Sequence, residues 1–182
     1  DIGANVIKIG MLSNPEIIRV VSNTLTEVAP ELPIIVDPVM VAKGGASLLD
    51  EEAVDALKTL IVPRAKVLTP NIPEAEFLTG MVAPRVEDAE NLASALSNLG
   101  PRAILLKGGH RGGDDVVDLL MERGRVVKTY TSKRINTVHT HGTGCTLSSA
   151  LATSLAQGQT LVHSVERARK YVLEAIRTAP CY

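Results

Sequence analysis

The chain has 182 residues, 45% of them hydrophobic, which is single-domain size with enough apolar material for a substantial core. A formal net charge of −1, with lysines and arginines scattered along the chain, offers no basic field for a phosphate backbone and argues against nucleic acid as a main partner. No apolar run is long enough to span a bilayer, so no membrane partner is expected and the chain reads as cytoplasmic; the two cysteines, Cys145 and Cys181, are too few for a disulfide framework and lack zinc-site spacing.

The apolar stretch Val6 to Gly10 predicts a buried strand. Ser13 or Asn14 can then cap a helix with Pro15 in its first turn, in which Ile17, Ile18, Val21, Leu25 and Val28 recur at helical spacing. The alternation repeats with a strand at Ile34 to Asp37, a glycine-bearing loop, and a helix from Asp50 that carries Val54, Leu57 and Ile61 inward. A third strand, Val67 to Thr69, ends at Pro70. Short helical pieces at Pro73 to Leu78 and Glu87 to Leu99, the latter closed by Gly100, lead into the unbroken apolar run Ala103 to Leu106.

Strands alternating with helices imply an α/β domain with a parallel sheet covered on both faces. Residues 116 to 131 depart from that rhythm: Val116 to Met121 and Val126 to Thr131 flank Glu122-Arg123-Gly124-Arg125, which predicts a hairpin and an antiparallel edge. A helix follows His141 to Cys145 with Leu147, Ala150, Leu151 and Leu155 on one face, and a last amphipathic helix runs from about Leu161 to Ile176. There is no internal repeat, low-complexity tract or flexible linker.

Four polar clusters could carry chemistry. At the helix start Gly142-Thr143-Gly144-Cys145, glycines let backbone N–H groups turn inward while the helix terminus adds partial positive charge, which makes an anion hole for a phosphoryl group. A tight turn with a small buried cysteine fits the same residues. Asp37, at the carboxyl end of an apolar strand, suits Mg²⁺ or phosphate management, or simply forms an Asp-Pro turn. Asn71 and Glu74 offer oxygen ligands that Mg²⁺ takes through its waters, and equally fit plain helix capping. Lys107, beside Gly108 and Gly109, could reach nucleotide phosphates or be a solvated loop lysine. All four fall directly after predicted strands or at a helix start, so they can converge on one rim of one sheet. No Walker-type Gly-x4-Gly-Lys-Ser/Thr occurs, and His139, His141 and His163 lack metal-site partners.

The segments Lys8 to Leu12, Val36-Asp37-Pro38-Val39-Met40, Leu68-Thr69-Pro70-Asn71 with Glu74, Leu106 to His110 and His141 to Ser148 together make the chain resemble the hydroxymethylpyrimidine/phosphomethylpyrimidine kinases of the ribokinase superfamily. The resemblance implies a three-layer α/β/α ribokinase-like fold with a mostly parallel central sheet, and a homodimer. It also implies ATP-dependent phosphorylation of 4-amino-5-hydroxymethyl-2-methylpyrimidine and then of its monophosphate. Cys145 would be the base, and Gly142, Thr143 and Gly144 would hold the phosphoryl group. Asp37, Asn71 and Glu74 would handle Mg²⁺, with Asp37 and Glu74 as its carboxylates. Lys107 would meet the nucleotide phosphates, and Met11 and Val39 would line the pyrimidine pocket. The branch also contains pyridoxine and pyridoxal kinases, and a binding domain without turnover is a further alternative. Family members carry an N-terminal strand and glycine-rich segment and a C-terminal tail that do not occur here, so residues 1–182 are expected to be part of one kinase domain, without its N-terminal strands.

Overall fold

The computed structural model describes residues 3–40 and 49–180; the glycine-bearing loop expected after Asp37, and Cys181, lie outside the described residues. A six-stranded sheet forms the middle layer, with strands in chain order: β1 (Ile7–Ile9), β2 (Ile34–Val36), β3 (Ala65–Leu68), β4 (Ala103–Leu106), β5 (Asp115–Glu122) and β6 (Arg125–Lys133). β1 to β4 are parallel, and β5 and β6 run antiparallel to their neighbours. Among the described residues six α-helices accompany them: α1 (Pro15–Val28), α2 (Glu51–Ala56), α3 (Ile72–Thr79), α4 (Ala89–Ser97), α5 (Thr143–Ala156) and α6 (Leu161–Arg177).

Sequential strand order has a direct consequence for the layers. Parallel crossovers are right-handed, so a sheet that grows always in one direction puts every connecting helix on the same face. Ile34, Val36, Leu68, Ile104 and Leu106 accordingly pack with Ile18 of α1, Val54 of α2, Leu78 of α3 and Leu92 of α4. The alternate strand residues Ile35, Val67, Leu105 and Leu120 point the other way, into Leu147 and Leu151 of α5 and Val165 and Val172 of α6. The result is three layers, α/β/α.

Local chemistry explains most of the boundaries. Asn14 accepts the Ile17 N–H at 2.9 Å and Asp50 accepts the Ala53 N–H at 2.7 Å, each capping the helix that follows. The hairpin turn is Arg123 (φ 51°) and Gly124 (φ 72°), the two positive φ angles of a type I′ turn. Two expectations are modified. In α1 the buried stripe is narrow: Ile18 is buried and Val21 and Leu25 pack against the core, but Ile17 and Val28 face outward. The helix from Asp50 buries Val54, Leu57 and Ile61 as expected, yet it is regular only to Ala56, loosens into a π turn over Leu57–Ile61 and tightens to a 3₁₀ turn over Val62–Arg64. Pro63, which has no N–H to give to an earlier carbonyl, ends the α-helical pattern before β3 begins.

Candidate active site

Asp37 is the centre of a buried polar cluster at the carboxyl end of the sheet. β2 is buried along its whole length, and main-chain pairing carries on past it: Asp37 N–H donates to Ile9 O and Thr69 N–H to Val36 O, both at 2.9 Å. The side chain is thereby delivered into protein, with 1% of the residue exposed. A carboxylate placed there needs partners. Its Oδ1 accepts from Lys107 Nζ at 2.8 Å and from Thr69 Oγ1 at 3.1 Å, and its Oδ2 accepts from Ser148 Oγ at 3.3 Å. One side chain thus ties together the ends of β2, β3 and β4 and the second turn of α5.

Lys107 is aimed by its main chain. Its N–H donates to Pro70 O at 2.9 Å, and a parallel bridge pairs it with Asn71. From that anchor the mostly buried ammonium reaches Asp37 and stands beside the start of α5, where a Cβ built on Gly144 would lie 3.2 Å from Nζ.

The start of α5 is held open. Gly142 has φ +77°, a left-handed conformation that glycine adopts at little cost, and no side chain caps the helix. Thr146 returns both its N–H and its Oγ1 to Gly142 O at 2.9 Å, and Thr143 Oγ1 donates to Thr140 O at 2.9 Å. The N–H groups of Gly144 and Cys145 meet no acceptor among the described residues. Cys145 is exposed, not buried. The positive end of the helix, an ammonium and two free amides therefore face the same space, an arrangement that can hold an anion.

α3 begins on the same rim in the opposite condition. Asn71 Oδ1 accepts the Glu74 N–H at 2.8 Å and Glu74 Oε2 accepts the Asn71 N–H at 2.7 Å, so the capping box is closed. Glu74 is buried, and burial raises its pKa; Lys107 and the Asn71 N–H pull it back down, while Asp37 pushes it up. Met11, largely exposed, and Val39, half-buried with its N–H on Asp37 O at 2.8 Å, stand beyond the carboxyl ends of β1 and β2. His139, His141 and His163 are exposed, and no group of three or more His, Cys, Asp or Glu side chains among the described residues could hold a metal ion.

Three residues of the site have no role in the sequence reading. Thr69 and Ser148 complete the Asp37 cluster although they stand 32 and 111 residues from it in the chain. Arg134, at the end of β6, straps the loop that follows Lys107: Nε donates to Gly113 O at 2.7 Å, Nη1 to Gly109 O at 3.0 Å, and Nη2 to Arg111 O. The local clues were Thr69 in Leu68-Thr69-Pro70-Asn71 and Ser148 one turn after Cys145; nothing near Arg134 signals its use.

The family model of phosphomethylpyrimidine kinase matches residues 1–182. The chain belongs to the phosphomethylpyrimidine kinase family. It is 48% identical over 179 residues to the thiamine biosynthesis bifunctional protein ThiED of Geobacter sulfurreducens, a match that covers 98% of this chain and 36% of that protein. It is 42% identical over 176 residues to the hydroxymethylpyrimidine/phosphomethylpyrimidine kinase of Bacillus subtilis, covering 97% of this chain and 65% of that one. The chain thus spans less than two thirds of the length of either relative. Among solved structures, the phosphomethylpyrimidine kinase of Clostridium difficile superimposes with a TM-score of 0.82 at 38% identity, covering 97% of this chain and 71% of that chain. The ADP complex of Bacillus subtilis pyridoxal kinase gives 0.87 at 31% identity, covering 100% and 67%. With these vitamin kinases the family member shares the ribokinase-like α/β/α fold.

Proposed function

We propose that residues 1–182 are the phosphoryl-transfer part of one kinase domain that uses Mg-ATP to phosphorylate hydroxymethylpyrimidine and then its monophosphate. The observation that carries this reading is the placement of the Asp37-bound Lys107 ammonium against the open first turn of α5. Lys107 and the Gly144 and Cys145 amides, with Gly142 and Thr143 shaping the turn, donate hydrogen bonds to the γ-phosphoryl oxygens. The exposed Cys145 sulfur takes the hydroxyl proton of the substrate as that oxygen attacks phosphorus, and the bond from phosphorus to the departing ADP oxygen breaks. Met11 and Val39, past the ends of β1 and β2, line the pyrimidine side. ATP as donor is supported by the ADP held by the Bacillus subtilis pyridoxal kinase, whose fold this chain shares.

The residues present fit Mg²⁺. Two carboxylates, Asp37 and Glu74, face one ammonium, Lys107, and burial already disfavours the charged form of Glu74. That residual negative charge suits a cation held through one or two carboxylates and its own waters, without a preformed cluster of three ligands. Asp37 and Glu74 would hold it, with Asn71 beside them, and it would supply charge neutralisation of the phosphate oxygens. A cytoplasmic homodimer belongs to the same proposal: β1 has one sheet neighbour, β2, among the described residues, and light scattering tests whether a second copy is bound.

The test is mass-spectrometric detection of products after incubating the chain with Mg-ATP and hydroxymethylpyrimidine, with pyridoxine in a parallel tube. Pyrimidine mono- and diphosphate are expected, and Cys145→Ala is expected to lower their formation by roughly 10²–10⁴-fold. A second reading, pyridoxal kinase, has the 0.87 superposition in its favour, and product from pyridoxine alone would establish it. ADP binding by calorimetry with no product in either tube would reduce the chain to a nucleotide-binding domain.

A further inference from the structure

A second buried charge cluster lies next to the residue that follows Lys107. Asp118 stands in the middle of β5 and is 5% exposed, and Arg169 of α6 is 9% exposed. Their side chains form an ion pair through Asp118 Oδ2 and Arg169 Nη1. The guanidinium also stacks over the Tyr130 ring at 5.2 Å and approaches Ser132 Oγ at 3.5 Å, so it is gripped from β6 as well. Buried pairs of this kind gain little over apolar residues of the same volume, because both charges must leave water. Packing alone therefore does not account for a carboxylate at this point of the sheet.

The other oxygen of Asp118 shows what it does. Oδ1 accepts the Gly108 N–H at 2.8 Å. β4 and β5 pair as far as Leu106 and Leu119, and the ladder stops there. Gly108 nonetheless runs tight against β5, since a Cβ on it would lie 2.0 Å from Val117 O. Asp118 thus takes over the job of a ladder acceptor just where the main chain leaves β4. The preceding residue is Lys107, whose own N–H is held from the opposite side by Pro70 O.

We propose that Asp118 is a positioning residue for the nucleotide site: by holding the Gly108 N–H it fixes the backbone from which Lys107 reaches Asp37 and the start of α5, and Arg169 is the counter-charge that lets the carboxylate stay buried there. This rests on the kinase reading above. Lys107 and Gly108 are clamped between the end of β3 and β5 by two consecutive amides. Small misplacements of such groups are costly in an active site, so the effect appears in nucleotide handling before it appears in pyrimidine binding.

The decisive comparison is between D118N/R169M and D118L/R169M. Both lack the buried charges, but only the first keeps an oxygen for the Gly108 N–H. ADP affinity by calorimetry is expected to stay near that of the unsubstituted chain in D118N/R169M and to weaken about tenfold in D118L/R169M, the loss of one buried hydrogen bond. Hydroxymethylpyrimidine affinity is expected to match in the two, and the Gly108 amide is expected to exchange faster only in D118L/R169M. Equal ADP affinity in the two variants overturns the inference and leaves the pair a structural element. Absence of ADP binding in the unsubstituted chain overturns the kinase reading and this inference with it. Should D118L/R169M not fold, Asp118→Glu keeps the charge and lengthens the arm by one methylene: a severalfold loss of ADP affinity supports positioning, and no change refutes it.

Discussion

α3 and α5 both start at the carboxyl rim of the sheet, within reach of the same lysine, and they treat their free amides in opposite ways. α3 opens on Asn71 and Glu74, which satisfy one another's backbone N–H groups at 2.8 and 2.7 Å, so this helix start is complete within the protein. α5 opens on Gly142, has no side-chain cap, and leaves two amides beside the Lys107 ammonium. A helix terminus costs stability when its donors are left without partners, and of these two termini only that of α5 has donors still open to an anion. The sequence patterns of the two starts would each allow either outcome.

Four substitutions break or sharpen that contrast. Cys145→Ala has the largest expected effect: phosphorylation falls by roughly 10²–10⁴-fold, as for loss of a general base, while ADP binding and melting temperature stay as they were. Gly144→Ala comes next. Its Cβ would sit 3.2 Å from Lys107 Nζ, the mobile end of a side chain, so the protein folds but the ammonium is displaced, and a drop of about tenfold in kcat is expected in steady-state assays. Asn71→Ala opens the closed start, and the expected cost is about 1 kcal/mol of stability, or a melting temperature lower by about 2–4 °C. If calorimetry shows no destabilisation, the capping box contributes nothing and the contrast between the two helices fails.

Glu74→Gln is the subtlest. Gln keeps an oxygen for the Asn71 N–H and removes the buried charge. Because burial raises the Glu74 pKa above its ordinary 4.5, the native state binds this proton more tightly than the unfolded chain does. Stability therefore falls as pH rises from 4.5 through the raised value, and the cost is fully present only above it. Melting curves are expected to show the Gln variant more stable at pH 7, with the advantage shrinking towards pH 4.5. A pH-independent difference would place the effect in packing instead of charge.

Much of the architecture was legible in the chain because it depends on local spacing. Short continuous apolar runs such as Ile34-Ile35-Val36 and Ala103 to Leu106, in alternation with helical segments, read as strands buried on both faces, and they are. The antiparallel hairpin followed from Glu122-Arg123-Gly124-Arg125 between the segments Val116 to Met121 and Val126 to Thr131. The narrow buried stripe of α1 was not legible, since Ile17 and Val28 obey the same periodicity as Ile18 and differ only in what stands opposite. The loosening of α2 around Leu57–Ile61 likewise depends on how the chain must reach β3.

The site divides in the same way. Sequence by itself determined the family, the order of strands and helices, and the polar residues that stand at their ends, because those are carried by motifs a few residues long. Only the tertiary structure decided which of these residues meet. It joined Asp37 to Lys107, 70 residues away, and to Ser148, 111 residues away. It set the open start of α5 beside the Lys107 ammonium. It also placed Asp118 and Arg169, 51 residues apart and outside every motif, behind the Lys107-Gly108 backbone. Contacts at such separations are set by the registry of packed layers, and no window of local sequence contains both partners.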